Sequence, residues 1–207
     1  QAYQKLKGLY RRLEQYPQLL VLIQEHYNLF PNDLQSYGEL GEVEFLNDNI
    51  TSADNIWQDL ELRFNNSQNT YRILMYVFIR LSLLERAESV VMRGRENLQN
   101  PSLLSLDLAN YYKNRRIFDK AAEEFLLYLI NNPRQKKMIT DRILHMSDEE
   151  DAMLFIEEKI LSKIENNELV IRNLVASFYF KTREYSRAFE QHLALGLNTQ
   201  EDLVRWI

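Results

Sequence analysis

The sequence predicts an all-α protein of the α-solenoid class, a row of stacked antiparallel helical hairpins. Three observations predict it. Glycine and proline are scarce, five and four in 207 residues, which leaves little turn chemistry for a many-stranded protein. Apolar residues recur at intervals of three and four, the spacing of one helical face. A bulky residue three places before an alanine recurs as Ile50/Ala53, Leu84/Ala87, Phe118/Ala121 and Tyr185/Ala188, and the first three of these alanines are 34 residues apart. A constant period near that length is the mark of repeated helical hairpins.

Residues 1–32 predict a divergent first hairpin. Tyr3, Leu6, Tyr10 and Leu13 mark one face of its first helix. Pro17 suits the first turn of the second helix, where its missing N–H is not needed. Leu19, Leu20, Leu22, Ile23 and Tyr27 cover more than one stripe, so that helix packs on two neighbours. Residues 33–66 form the second hairpin, turning at 47–49, with Thr51 or Ser52 as the cap of the helix that carries Ala53, Trp57 and Leu60. Gly38 and Gly41 each weaken a helix by roughly 1 kcal/mol relative to alanine. Gly38 has no reason visible in the sequence.

Residues 67–100 give the third hairpin, whose first helix is apolar nearly all round and therefore sandwiched between others. Residues 101–134 give the fourth: Pro101 opens it, a polar turn at 113–116 divides it, and Pro133 closes it. Packed helices approach to about 8–10 Å, so the residue at their crossing, Ala121, has to be small. In the degenerate fifth unit, 135–167, Ser147 and the acidic run from Asp148 to Asp151 read as a cap and favourable charges at a helix N-terminus. Residues 168–198 make the sixth hairpin. Thr199 then caps a segment, 199–207, whose Leu203, Val204, Trp206 and Ile207 read as the start of a further helix. The whole is read as a single domain. The chain starts without methionine and in mid-pattern, so it reads as a fragment of a longer protein, with a removed export signal left open.

Leu108, Ala109, Tyr112, Ala121, Phe125 and Pro133 fall at the intervals of an apolar-small pair, an aromatic, alanine, a second aromatic and a closing proline. This pattern resembles the tetratricopeptide repeat family. Tyr37, Leu40, Gly41, Ala53 and Trp57 are similar to a second copy, in which the resemblance implies a close helix approach at Gly41. Leu74, Phe78 and Ala87 are similar to a third, with Met75 where a small residue is usual. Val175, Ala176, Tyr179, Tyr185 and Ala188 make a fourth, with His192 in place of the usual apolar residue. The resemblance spans residues 34–200 and implies a right-handed superhelical array that serves protein–protein interaction. Some members of the family grip a partner's C-terminal carboxylate with lysine, arginine and asparagine. Here Asp107 stands where an asparagine is expected, and a second anion beside a carboxylate is unfavourable, which argues against recognition of chaperone tails.

Chemistry is sparse. The absence of cysteine removes a disulfide scaffold, a thiolate zinc site and a cysteine nucleophile, and is compatible with cytoplasm or periplasm. A net charge of −5 argues against nucleic acid as the main partner, although a local basic stripe remains compatible with it. The longest apolar stretch, 73–84, is interrupted by Arg80 and too short to cross a bilayer. His26, His145 and His192 fall in different hairpins without the paired spacing of a helical metal site. The acidic runs 149–151 and 157–158 read as solvated helix surface, since a catalytic pair needs a pocket that separates its pKa values. No phosphate-cradling glycine loop or nucleophile elbow is present. The expectation is a non-enzyme with no cofactor and no metal.

In stacked hairpins the first helices line a concave groove. The register places Arg72, Tyr76 and Arg80 on that face, then Asn110, Lys113 and Asn114, and further on Asn173 and Ser177. Tyrosine, arginine and asparagine suit peptide capture: an amphipathic ring, a forked donor and an amide able to pair with an extended backbone. The expectation is a scaffold that binds a protein or peptide segment. The alternatives are a structural spacer between other domains and, on weaker grounds, helical-repeat binding of single-stranded RNA.

Overall fold

The computed structural model describes residues 2–164 and 168–196, so the segment 199–207 and its reading as a further helix lie outside the described residues. Among the described residues there are twelve α-helices and no strand. The chain divides into two compact units, Gln1–Leu103 and Leu104–Ile207.

The first unit holds α1 (Ala2–Arg12), α2 (Tyr16–Leu29), α3 (Leu34–Leu46), α4 (Ile50–Arg63), α5 (Gln68–Arg80) and α6 (Leu84–Asn97). Each packs on the next in sequence, and α3 also packs on α5. The second unit holds α7 (Ser105–Asn114), α8 (Phe118–Asn131), α9 (Lys136–Met146), α10 (Glu150–Ser162), α11 (Glu168–Lys181) and α12 (Tyr185–Ala194), with one 3-10 turn, Pro133–Gln135, before α9. Here α7 pairs with α8 and α11 with α12, whereas α9 and α10 make the loosest hairpin and pack instead on α8 and α11.

The turn inside each hairpin explains the regularity. Glu14, Asp48 and Ser82 in the first unit, and Arg116 and Arg183 in the second, all have left-handed backbone, with φ of 54°, 63°, 60°, 60° and 66°. The next residue donates its N–H to the carbonyl five positions back, as in Gln15 to Tyr10 at 2.9 Å, Leu83 to Phe78 at 2.8 Å and Glu184 to Tyr179 at 2.8 Å. This is the bond that closes a helix in the Schellman motif. The left-handed positions 14, 48, 82 and 116 stand one period of 34 apart, and 183 follows at nearly two. At the α9–α10 turn none of residues 147–149 has left-handed backbone, Asp148 standing where the other turns place theirs, and this is the hairpin that pairs loosely. A side chain in the left-handed region costs about 1–2 kcal/mol. Ser82→Gly is therefore expected to raise stability by about 0.5–1 kcal/mol, read from the urea midpoint. An unchanged or lower midpoint would show that the turn carries no such strain.

Pro17 lies in the first turn of α2. Leu19 and Ile23 of α2 bury fully against Leu40 and Val43 of α3, flanked by Tyr10, Tyr27 and Tyr37. In the second unit Ala121, Phe125 and Leu129 of α8 are fully buried, as are Ile156 and Ile160 of α10. Each fully buried aliphatic side chain contributes about 1.5–3 kcal/mol, so stability is spread along successive helix junctions.

Two capping expectations fail. α4 begins at Ile50 with Asn49 at its cap position, so Thr51 and Ser52 lie inside the helix. The asparagine takes the boundary because the left-handed Asp48 already ends the turn. Ser147 belongs to the preceding helix, where its hydroxyl donates to the Leu144 carbonyl at 2.7 Å, and α10 starts only at Glu150. Gly38, unexplained by sequence, is a contact point for α5: a Cβ there would lie 2.5 Å from Ile73 Cγ2.

Candidate binding surfaces

In the first unit, α1, α3 and α5 are tied together through two buried carboxylates of α3. Glu39 and Glu42 are 6% and 3% exposed. Lys7 of α1 reaches Glu39 at 2.6 Å, and Gln35 Nε2 donates to the same carboxylate at 3.0 Å. Glu42 takes a forked pair from Arg80 of α5, Nε at 3.0 Å and Nη2 at 2.6 Å, and lies 3.4 Å from Arg11 Nη2 of α1. Burial works against the charge on Arg80, but its bonds to Glu42, the charge of Glu42 and then that of Glu39 outweigh it and raise its pKa above the usual arginine range. The sequence gives no sign that these glutamates are interior, because charged residues are seldom buried without partners and the partners are 32 and 38 residues away.

Of the residues named for the groove, Arg72 and Tyr76 lie one turn apart on α5, Arg72 exposed and Tyr76 40% exposed. Arg80, on the same helix, is committed to Glu42. In the second unit Asn110 accepts from Arg142 Nη1 of α9 at 3.2 Å, a bond that links α7 to α9. Lys113 is half-buried and Asn114 exposed at the end of α7. Asn173 donates to the Leu169 carbonyl at 2.7 Å, and Ser177 to the Asn173 carbonyl at 2.9 Å. Both Asn173 and Ser177 line a cavity of about 710 Å³ on α11 and α12, together with Phe180, Tyr185 and the buried His192. Phe180 and Tyr185 meet edge to face, with ring centroids 5.5 Å apart, and each is about half exposed. The polar ends of Arg80, Asn110, Asn173 and Ser177 are thus engaged within the protein, and what they offer a partner is chiefly shape.

On the second helices of the first unit, a cavity of about 590 Å³ is bridged by Arg86 paired with Asp54 and by Arg93 paired with Glu61 at 2.7 Å. Its inner wall includes Trp57, Leu74 and Phe78, all nearly fully buried. In the second unit, Arg116 in the α7–α8 turn reaches Glu149 and Asp151, each at 2.9 Å. Its bonds to Asp151 and then Glu149 raise its pKa above the ordinary arginine value. Lys181 pairs with Asp148 at 2.6 Å and is the main cause of that carboxyl lying below its usual range.

Serine, histidine and aspartate meet once in the first unit. Ser36 donates to Asp33 Oδ2 at 2.6 Å, and its Oγ lies 3.0 Å from His26 Nδ1. Asp33 also accepts from the Gln35 N–H at 3.1 Å, which makes it the cap of α3. The serine proton is directed to the carboxylate and not to the imidazole, and Ser36 is 3% exposed. A nucleophile needs the base on its own hydroxyl, so the trio locks the α2–α3 junction and does not match a hydrolytic triad. Tyr3 stacks on His26 with centroids 4.1 Å apart and closes the same junction to α1. His26, Asp33 and Ser36 lie within ten residues of one another, yet no sequence pattern marks them, because the contact depends on how α2 and α3 cross.

Two tyrosines provide a pH test of helix pairing. Burial, then a hydrogen bond to a carboxylate, pushes Tyr37 and Tyr179 up to about 12, the partners being Asp59 at 2.7 Å and Glu157 at 3.0 Å. A raised folded pKa means that this contribution to stability is complete below the unfolded value near 10 and is lost as pH rises through the folded value. Stability is therefore expected to fall between pH 10 and about 12, and the fall should shrink in a Tyr37→Phe, Tyr179→Phe double variant. Denaturant midpoints across that range check it, and an identical slope in the double variant refutes it.

No helix among the described residues is long and apolar enough to cross a membrane. No family model matches the chain, and no curated protein matches it.

Proposed function

We propose that each unit is a right-handed superhelical stack of hairpins of the kind the tetratricopeptide resemblance implies, and that the protein is a non-catalytic scaffold holding a peptide or protein segment along its first helices. The observation that carries this reading is the recurring hairpin closure, one left-handed residue and one six-to-one bond every 34 residues in positions 14, 48, 82 and 116. Within a unit, repeated closures of that kind favour first helices on a common side, and in the first unit ion pairs through Glu39 and Glu42 tie them together. A surface fixed in advance loses less entropy on binding than a loop does. Tyr76, with Arg72 one turn away, supplies the amphipathic anchor that dominates many interfaces.

The test is a peptide-display selection against the intact chain, followed by Tyr76→Ala combined with Arg72→Ala, both exposed on α5. Selected peptides are expected to bind the double variant at least about tenfold more weakly, a loss near 1.4 kcal/mol, with far-ultraviolet circular dichroism unchanged. Failure to enrich any peptide, or undiminished binding by the variant, would reject the reading.

A further inference from the structure

Charge in this acidic chain is sorted by helix position. In the first unit the first helices of the hairpins, α1, α3 and α5, carry six basic and three acidic residues, and the second helices, α2, α4 and α6, carry four and seven. In the second unit α7, α9 and α11 again carry six basic and three acidic residues, and α8, α10 and α12 carry three and eight. The net charge of −5 therefore hides a cationic first-helix layer in each unit.

The two layers differ in how that charge is used. In the first unit, Lys7, Arg11 and Arg80 are spent on the buried Glu39 and Glu42. In the second, α9 and the 3-10 turn before it border a shallow cavity of about 590 Å³ lined by Arg134, Lys137 and Arg142 against a single carboxylate, Asp141, with Gln135 and the half-buried Met138. Arg134 and Lys137 are exposed. Arg142 is held in place by its bond to Asn110 of α7.

We propose that this cavity on α9 binds the acidic side chains of a peptide segment, with Arg134, Lys137 and Arg142 as the anion contacts and Met138 as the contact for an apolar side chain between them. The proposal rests on the peptide-binding reading above and names the chemistry of the partner. Three cations facing one carboxylate favour an anion, and a methionine among them adds an adaptable apolar surface. The acidic second helices do not cancel this locally. Packed helix axes lie about 8–10 Å apart, and charges farther apart than about 8 Å are largely screened at physiological ionic strength. A polynucleotide, by contrast, gains affinity from many phosphate contacts along a continuous basic track with stacking aromatics. The cavity lining contains no aromatic residue.

The experiment uses the intact chain and short fluorescent peptides with amidated C-termini, in which leucine alternates with glutamate, glutamine or lysine, beside a short oligouridylate. The glutamate peptide is expected to bind best, to weaken steeply with added salt, and to lose about tenfold or more in affinity when Arg134→Glu and Lys137→Glu are combined. Both positions are exposed, and circular dichroism checks that the variant is folded. Equal binding of the glutamine and glutamate peptides, or an unaffected variant, overturns the acidic-partner proposal and leaves the peptide-binding reading standing. Displacement of the glutamate peptide by oligouridylate, lost in the same variant, overturns it in favour of nucleic acid. Binding of none of the peptides removes both.

Discussion

Trp57→Ala is expected to cost about 3–5 kcal/mol, and also to reverse the effect of a second substitution, Gly41→Ala. Trp57 is 3% exposed on α4 and donates its indole N–H to the Gly38 carbonyl of α3 at 3.3 Å. It meets Phe78 of α5 edge to face, with centroids 4.9 Å apart, so one ring holds three helices. A Cβ at Gly41 would clash with Nε1, Cδ1 and Cε2 of that indole. With the tryptophan present, Gly41→Ala overpacks a rigid contact and should destabilise by about 1–3 kcal/mol. With it removed, the clash is gone and only the better helix propensity of alanine remains, worth about 1 kcal/mol in the opposite direction. Urea unfolding of the two single variants and the double completes the cycle. Additive effects would mean that the ring does not lie on Gly41.

The carboxylate of Glu42 gives the second large effect. Arg80→Met alone leaves Arg11 beside it, and Arg11→Met alone leaves the forked bonds of Arg80. Each single change should cost about 1 kcal/mol. Removing both arginines strands a carboxylate that is 3% exposed, a situation that typically costs about 3–5 kcal/mol. Adding Glu42→Leu to the double variant should recover most of that loss, because an apolar trio of similar volume is often as stable as the buried ion group it replaces. A double variant no worse than the sum of its parts, or no recovery in the triple, would show that the first helices of this unit are not held through Glu42.

The groove residues show how far sequence register carries a site. Arg72 and Tyr76 are both exposed on α5. Arg80 sits on the same helix and is drawn to Glu42, since a buried acid competes for the nearest guanidinium. Asn173 and Ser177 satisfy carbonyls of their own helix, a common fate for short polar side chains in helices. The register did not reveal Arg134, Lys137 and Arg142, because the repeat pattern fades between 135 and 167. Only their assembly around one cavity, beside a single carboxylate, distinguishes them from ordinary surface charge.

The sequence by itself determined the local features: helices among the described residues, breaks between them near 32, 66, 100 and 134, the turn at 47–49 and the buried small residues Ala53, Ala87 and Ala121. Apolar spacing, proline placement and the need for small side chains at crossings act within a few residues, and so are written into short stretches of chain. Tertiary structure alone decided which side chain faces which. It gave Gly38 to Ile73, buried Glu39 and Glu42 beneath cations from neighbouring helices, and assigned Ser147 to the end of α9 instead of the start of α10. Those outcomes depend on contacts between helices some thirty residues apart, where a shift of one turn changes every partner while leaving the periodicity of each helix the same.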